Sequence, residues 1–316
     1  MKVLVTGADG FVGGWLVRRL LAERHEVHGA MRPVAVPAGG AGPLALPEVP
    51  SLALELADSD SVRRAFAEPF DAVVHLAAVA SGAEAAADPG YAWEVNAAGT
   101  ARVVEALAEG KRARRADPMV LVVSTSEVYG RGAATPRRET DPVAPCSPYA
   151  ASKLGGEIAA LEAWRRTGLR VVVARAFAHT GPGQDARFVA PAFARRLRLA
   201  KRAASRAVRV GDLTPVREFL HVEDVVDAYA RLLERGEPGE TYNVASGVGI
   251  ALAELLSRLG QLVGVEPLPE VDPALVRPAA IPYLVGDAAK LRARTGWAPR
   301  HSLDDTLKDL VDAQAD

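Results

Sequence analysis

Short apolar runs punctuate the first half of the chain, at residues 2–6, 27–31, 72–76, 120–124 and 170–174. Each is too short for a buried helix and is bounded by Gly or polar residues, so each predicts a strand. Residues 52–56 are a weaker candidate for one more. Between these runs, residues 11–22, 59–67, 91–107 and 148–167 carry apolar positions at helical spacing. Pro148 suits a first helical position, and Ser147 suits the cap before it. Residues 33–50, rich in Pro, Gly and Ala, predict a loop. Apolar strands separated by helices indicate an α/β fold with a doubly wound parallel sheet covered on both faces. Past residue 178 the pattern changes. Gly- and Pro-rich loops alternate with helices such as 189–201 and 251–263, and residues 241–244 predict one further strand that rejoins the sheet.

Composition narrows the class. The chain has 316 residues, with 38 Lys and Arg against 39 Asp and Glu. That balance lacks the basic excess of a nucleic-acid binder. Arg112, Arg114 and Arg115, and likewise Arg195, Arg196 and Arg198, read as solvated helix faces. Cys146 is the single cysteine, so an internal disulfide and a multi-cysteine metal site are both excluded. No apolar run reaches the ~18 residues that a membrane span needs. The first residues enter a strand pattern without a signal peptide. The expectation is a soluble, cytoplasmic protein with no metal, no membrane and no nucleic-acid partner.

The first strand runs into TGADGFVGG, which places Gly7, Gly10 and Gly13 between a strand and a helix. The first glycine permits a tight turn, the second lets backbone approach a pyrophosphate, and the third lets helix and strand pack closely. The helix N-terminus then offers free N–H groups to the anion. In a dinucleotide site of this kind an acid at the end of the second strand would bind the ribose of NAD. This chain has Met31 and Arg32 there, and Arg suits a 2′-phosphate, so NADP(H) is expected over NAD(H). The alternative is an Arg32 that only stacks on adenine. Asp58, after the third strand, is placed to touch the adenine. His75, at the end of the fourth, reads as structural rather than catalytic. The expected division is a dinucleotide-binding domain over 1–177, with a return segment near 215–245, and a smaller α/β substrate domain over 178–316.

The chemistry clusters around two segments. STSEVYG ends the fifth strand with Thr125, Ser126 and Glu127, and SPYAASK places Tyr149 and Lys153 one helical turn apart. Hydride transfer to a ketone needs a proton for the developing alkoxide. A phenol titrating near 10 is a poor donor at neutral pH, and a neighbouring ammonium would lower that value. Tyr149 as acid, Lys153 as tuner and Thr125 as orienter form a coherent set.

TGADGFVGG, HLAA, STSEVYG and YAASK together resemble the extended short-chain dehydrogenase/reductases that act on nucleotide sugars, over essentially the whole chain. The resemblance implies a Rossmann domain with a small C-terminal substrate domain. It implies the roles just given to Thr125, Tyr149 and Lys153, with Phe11, Val12, Leu76, Ala77 and Ala78 lining the cofactor. In the C-terminal half, FAHTGPGQDARFVAPAFAR, GDLTPVREFLHVEDVVDAY, YNVASG and RPAAIPYLVGDAAKLRARTGWAP resemble the branch that handles GDP-mannose derivatives. Within it they are most similar to the reductases that convert GDP-4-keto-6-deoxy-D-mannose to GDP-D-rhamnose. Arg217 and Arg277 are then candidates to clamp the substrate diphosphate, the alternative for Arg217 being an ion pair with Glu218 or Glu223. Ser126, Glu127, His179 and Phe188 join the substrate site, with Gly181–Gln184 as a turn over it; Phe188 suits core packing equally. The chain departs from the family pattern at Ala178, usually Asn, and at Glu218, usually Asp. Thr125-Ser126-Glu127 also fits a 4,6-dehydratase, in which Glu127 would be the C5 base. The compact chain, without a basic, Ser-rich insertion after the second strand, favours a reductase. A C4 or C3,5 epimerase and an NADP(H)-sensing regulatory protein are further readings. The resemblance also implies a homodimer in which helices 91–107 and 148–167 of two chains form a four-helix bundle.

Overall fold

The computed structural model describes residues 1–33, 47–276 and 281–313. Strand β1 (Lys2–Thr6) is the hub of the main sheet, flanked in parallel by β2 (Glu26–Met31) and β4 (Ala72–His75). β3 (Ser51–Ala53) extends the sheet beyond β2. On the other side follow β5 (Met119–Thr125), β6 (Arg170–Ala176) and β11 (Thr241–Val244). All seven strands are parallel, in the order β11-β6-β5-β4-β1-β2-β3. The order reverses between β1 and β4, where Thr6 lies opposite His75. A crevice opens at such a point, beyond the carboxyl ends of the strands.

Both faces are covered, which is why the strands read as unbroken apolar runs. One face packs on α1 (Phe11–Ala22), α8 (Val222–Arg235) and α10 (Ala289–Thr295), through Leu16, Val17, Val225 and Leu291. The other packs on α2 (Ser59–Ala65), α5 (Gly99–Arg112) and α6 (Pro148–Thr167), through Val62, Val103, Leu107 and Ala160. Helix α6 begins where expected: the Ser147 hydroxyl accepts from Ala150 N at 3.1 Å, and Pro148 follows. Gly168, at φ 69°, ends it in the left-handed conformation that glycine tolerates.

The stretch expected as one helix over 91–107 is broken. Past α3 (Gly82–Ala87), α4 (Pro89–Trp93) passes into a π turn, Glu94–Ala98, before α5 resumes. Buried Asn96 sits in this turn, and its side chain pairs with both backbone groups of Val79, at 2.8 and 3.1 Å. β6 runs two residues past its expected end, through Arg175.

The remaining chain forms a cap. Helices α7 (Val189–Arg202), α9 (Leu252–Val263) and α11 (Leu303–Ala313) enclose Phe193, Leu197, Leu255, Leu259 and Leu307. Small sheets complete it. β7 (His179–Thr180) pairs with β10 (Leu220–His221), and β8 (Ala207–Val210) pairs with β13 (Leu268–Val271). β9 (Val216–Arg217) lies between β12 (Ile250–Ala251) and β14 (Tyr283–Leu284). Among the described residues, no helix is long and apolar enough to cross a membrane.

Candidate active site

The crevice between β1 and β4 has a backbone built for an anion. Gly7 has φ +68°, and a Cβ there would lie 3.0 Å from Ala77 N. A Cβ on Gly13 would come within 2.1 Å of Gly7 O. Only glycine lets these segments approach so closely. Gly10 sits at the N-cap of α1 without a side-chain cap, and the first turn has no acidic residue. Its N–H groups are therefore left for a ligand, as a dinucleotide diphosphate requires. Phe11 and Val12 open this helix, and Leu76, Ala77 and Ala78 follow β4 at the same crevice. Arg32 is exposed just past the end of β2, and no acid precedes it on that strand end. Asp58 has a structural task of its own: it caps α2, accepting from Asp60 N at 2.8 Å.

His75 is part of a buried relay. Leu76 N and Ala77 N both donate to Thr6 Oγ1 at 3.1 Å, so the Thr6 hydroxyl hydrogen turns to His75 Nδ1 at 2.9 Å. Nε2–H then points to Thr100 Oγ1 at 3.2 Å, and Thr100 donates to Asn96 O at 2.7 Å. Burial, helped by the Lys153 charge, pushes His75 down to about 3. The ring is neutral with both nitrogens engaged, which fits the structural reading.

Thr125 ends β5, and its Oγ1 accepts from Glu127 N at 3.2 Å to cap the short 3₁₀ turn Ser126–Tyr129. Tyr149 and Lys153 occupy the first turns of α6, with Thr125 within hydrogen-bonding reach of the phenol. Helix α6 is fixed from the π turn: Asn96 Nδ2 donates to Ser152 Oγ at 2.9 Å, and Ser152 Oγ donates to Tyr149 O at 2.9 Å. One expectation needs correction. The net direction at the phenol is upward: burial, and then the Glu127 charge, push it well above its ordinary value, against a hydrogen bond from Thr125. Lys153 is itself buried, which brings it down to about 8, with Glu157 opposing the fall.

The cap supplies the other candidates. His179 stacks on Phe11 with ring centroids 6.2 Å apart, and its Nδ1 donates to Phe177 O at 2.9 Å. Burial keeps this imidazole below its ordinary value. Gln184 Nε2 donates to His179 O at 3.1 Å, and Trp15 of α1 donates to Pro182 O at 3.1 Å, so helix α1 carries the 179–184 loop. Phe188 is half-buried at the N-cap of α7, outside the cap core. Arg217 is half-buried on β9, its Nη1 donating to Val216 O at 2.7 Å. Glu218 is fully buried and accepts from Ser246 N, Ser246 Oγ, Gly247 N and Gly286 N at 2.6–3.0 Å. Burial pushes it up to about 7 against those four bonds. Arg277 lies outside the described residues. Sequence reading passed over Asn96, Ser152, Glu157 and Arg175. The one signal available was Glu157, four residues after Lys153 on the same helix face.

Comparison with known proteins agrees with this geometry. The family model for GDP-mannose 4,6 dehydratase matches residues 4–310. A GDP-6-deoxy-D-mannose reductase of Pseudomonas aeruginosa is 36% identical over 98% of this chain and 96% of its own. A UDP-glucose 4-epimerase of Mycolicibacterium smegmatis is 31% identical over 99% and 98%. Among solved structures, RMD from Pseudomonas aeruginosa complexed with NADPH superposes with a TM-score of 0.83 at 34% identity, covering 99% and 98% of the two chains. The Thermus thermophilus UDP-glucose 4-epimerase complexed with NAD gives 0.84 at 32% identity, with the same coverage. The glycine cradle, the Tyr149–Lys153 pair and these likenesses together place the chain in the NAD-dependent epimerase/dehydratase family, the extended short-chain dehydrogenase/reductases that modify nucleotide sugars.

Proposed function

We propose that this protein reduces the C4 ketone of GDP-4-keto-6-deoxy-D-mannose with NADPH, forming GDP-D-rhamnose. The observation that carries this reading is the placing of Tyr149 and Lys153 on the first turns of α6, with Thr125 at the end of β5 within reach of the phenol, beside the glycine cradle. Ketone reduction consumes a proton at the carbonyl oxygen, and a phenol held at that position can give it. The Pseudomonas aeruginosa relative, named as a GDP-6-deoxy-D-mannose reductase, supports the choice.

NADPH, when bound, supplies the hydride for C4. Gly7, Gly10, Gly13 and the start of α1 would hold its diphosphate, with Phe11, Val12, Leu76, Ala77 and Ala78 beside it and Asp58 toward the adenine. Arg32 would take the 2′-phosphate through a charge-assisted fork. Lys153 would steady the nicotinamide ribose. The chain's own chemistry is the proton: Tyr149 gives it to the C4 oxygen as negative charge builds there. The Thr125 hydroxyl donates to the same oxygen, and the Lys153 ammonium stabilises the phenolate left behind. Ser126, His179, Phe188, Arg217 and Arg277 are assigned to the nucleotide sugar.

The proximity of Glu127 to Tyr149 favours one second reading, a GDP-mannose 4,6-dehydratase with Glu127 as the C5 base. The two are separated by incubating the protein with NADPH and GDP-4-keto-6-deoxymannose, and in parallel with GDP-mannose alone, and identifying products by NMR. Stoichiometric NADPH loss with GDP-rhamnose supports the reductase. Conversion of GDP-mannose to the 4-keto sugar without NADPH loss supports the dehydratase.

The reading includes a homodimer. Trp93 on α4 and Ile158 on α6 are 47% and 61% exposed on one apolar face, with Ala97, Ala101 and Leu154 between them. A second copy seated there would pair α5 and α6 across a two-fold axis into a four-helix bundle.

A further inference from the structure

Glu157 is a carboxylate buried to 2% exposure, one helical turn past Lys153 on α6. It has two partners outside its own helix. The Ser124 hydroxyl, on the residue before Thr125, donates to Oε1. Arg175 of β6 forks onto both oxygens, from Nε at 3.1 and 3.2 Å and from Nη2 at 2.8 Å. Arg175 is itself only 7% exposed and lies 4.9 Å from the centroid of the Tyr129 ring. The Tyr129 hydroxyl in turn donates to Asn243 Oδ1 of β11 at 2.7 Å. A buried ion pair is costly to assemble and seldom stabilises a fold for its own sake. Here it sits beneath the Tyr149–Lys153 pair and is bonded to the strand end that carries Thr125.

We propose that Glu157 is a positioning residue that keeps the Lys153 ammonium charged, while Arg175 and Ser124 pin its carboxylate so that it does not bind Lys153 outright. The inference rests on the reading of Tyr149 and Lys153 as the proton-handling pair. Burial alone drives a lysine toward its neutral form, and a neutral amine would leave the phenolate of Tyr149 without a counter-charge. A fixed anion one turn away offsets that loss. An anion free to swing onto Lys153 would instead hold the ammonium away from Tyr149. Arg175 prevents this by taking both carboxylate oxygens, and Ser124 ties the arrangement to β5.

Other groups face this cluster. His75 approaches Lys153 from β4, and it is neutral through the working range. Glu127 and, from α8, Tyr229 face Tyr149. Among the described carboxylates, Glu157 is the one whose charge acts on Lys153.

The test is a direct titration of Lys153 in protein carrying ¹³C- and ¹⁵N-labelled lysine, with the resonance assigned by Lys153→Arg. Glu157→Gln is expected to move the Lys153 midpoint down by about one pH unit or more, and Glu157→Asp to bring it back. Arg175→Gln is expected to move it up, because the carboxylate loses its fork and turns to Lys153. A packing defect cannot produce shifts of opposite sign. An unmoved midpoint in folded Glu157→Gln, or the same direction of shift in both variants, overturns the proposal. Should Glu157→Gln not fold, Ser124→Ala decides, since it loosens the carboxylate without changing any charge: an upward shift supports the proposal and an unmoved midpoint overturns it. The titration needs no substrate, so opposite shifts in a protein that leaves the keto sugar untouched would sink the reductase reading and leave this one standing. With turnover, the alkaline limb of kcat/KM should follow the titration in each variant.

Discussion

Asn96 donates to Ser152 across 2.9 Å and so joins the π turn before α5 to the first turns of α6. The same amide holds both backbone groups of Val79. Removing it leaves three buried polar groups without their partner. Asn96→Ala should destabilise the fold by about 2–4 kcal/mol in denaturant unfolding, since each orphaned group costs about 1–3 kcal/mol before relaxation. Activity should fall with it, because Ser152 also holds the Tyr149 carbonyl. A variant as stable as the parent would show that the π turn is not what fixes α6.

His75 sets an acid limit on stability. The folded state holds it neutral down to about 3, whereas an unfolded His binds a proton near 6.5. The unfolded chain therefore binds more protons between those values, and stability is lost as pH falls through that window, by about 1.4 kcal/mol per unit at most from this residue. His75→Gln should flatten the fall of Tm between pH 6.5 and 4. Parallel Tm curves for the two proteins would remove His75 as the cause.

The proposed reading gives the choice of cofactor to Arg32. Arg32→Glu should weaken NADPH binding about 10- to 100-fold, the worth of a charge-assisted pair of ~1.5–3 kcal/mol, and leave NADH binding nearly unchanged. Fluorescence titration with both nucleotides reads this directly. Equal losses for the two would mean that Arg32 touches only what they share.

The apolar face on α4 and α6 predicts its own disruption. Ile158, 61% exposed, should tolerate a charge in the single chain but not against a second copy. Ile158→Glu should turn a dimer into a monomer in light scattering or sedimentation. A parent protein that is monomeric at micromolar concentration would contradict the bundle.

How much of this was legible beforehand follows from what a strand or helix shows in one dimension. Strands buried on both faces read as apolar runs, so β1, β4 and β5 stood out, and Ser147-Pro148 marked the start of α6. The π turn did not, because one turn at a wider spacing cannot be told from ordinary helical periodicity over residues 91–107. The sequence ends β6 at 174 because Arg175 looks like the end of an apolar run; the strand continues because Glu157, eighteen residues earlier, pairs with the guanidinium. The net direction of the Tyr149 shift lies outside the sequence for a similar reason. The Tyr149–Lys153 spacing is local, but the burial of both groups and the approach of Glu127 come from the fold.

In the proposed reaction Tyr149 gives its proton to the substrate oxygen. Tyr149→Phe tests it most directly, in a single-turnover measurement of NADPH oxidation with GDP-4-keto-6-deoxymannose, alongside NADPH binding. A rate loss of about 10²- to 10⁴-fold is expected, the usual worth of a positioned acid, with NADPH affinity held within a few-fold. A loss of less than about tenfold would contradict it and pass the proton to another group.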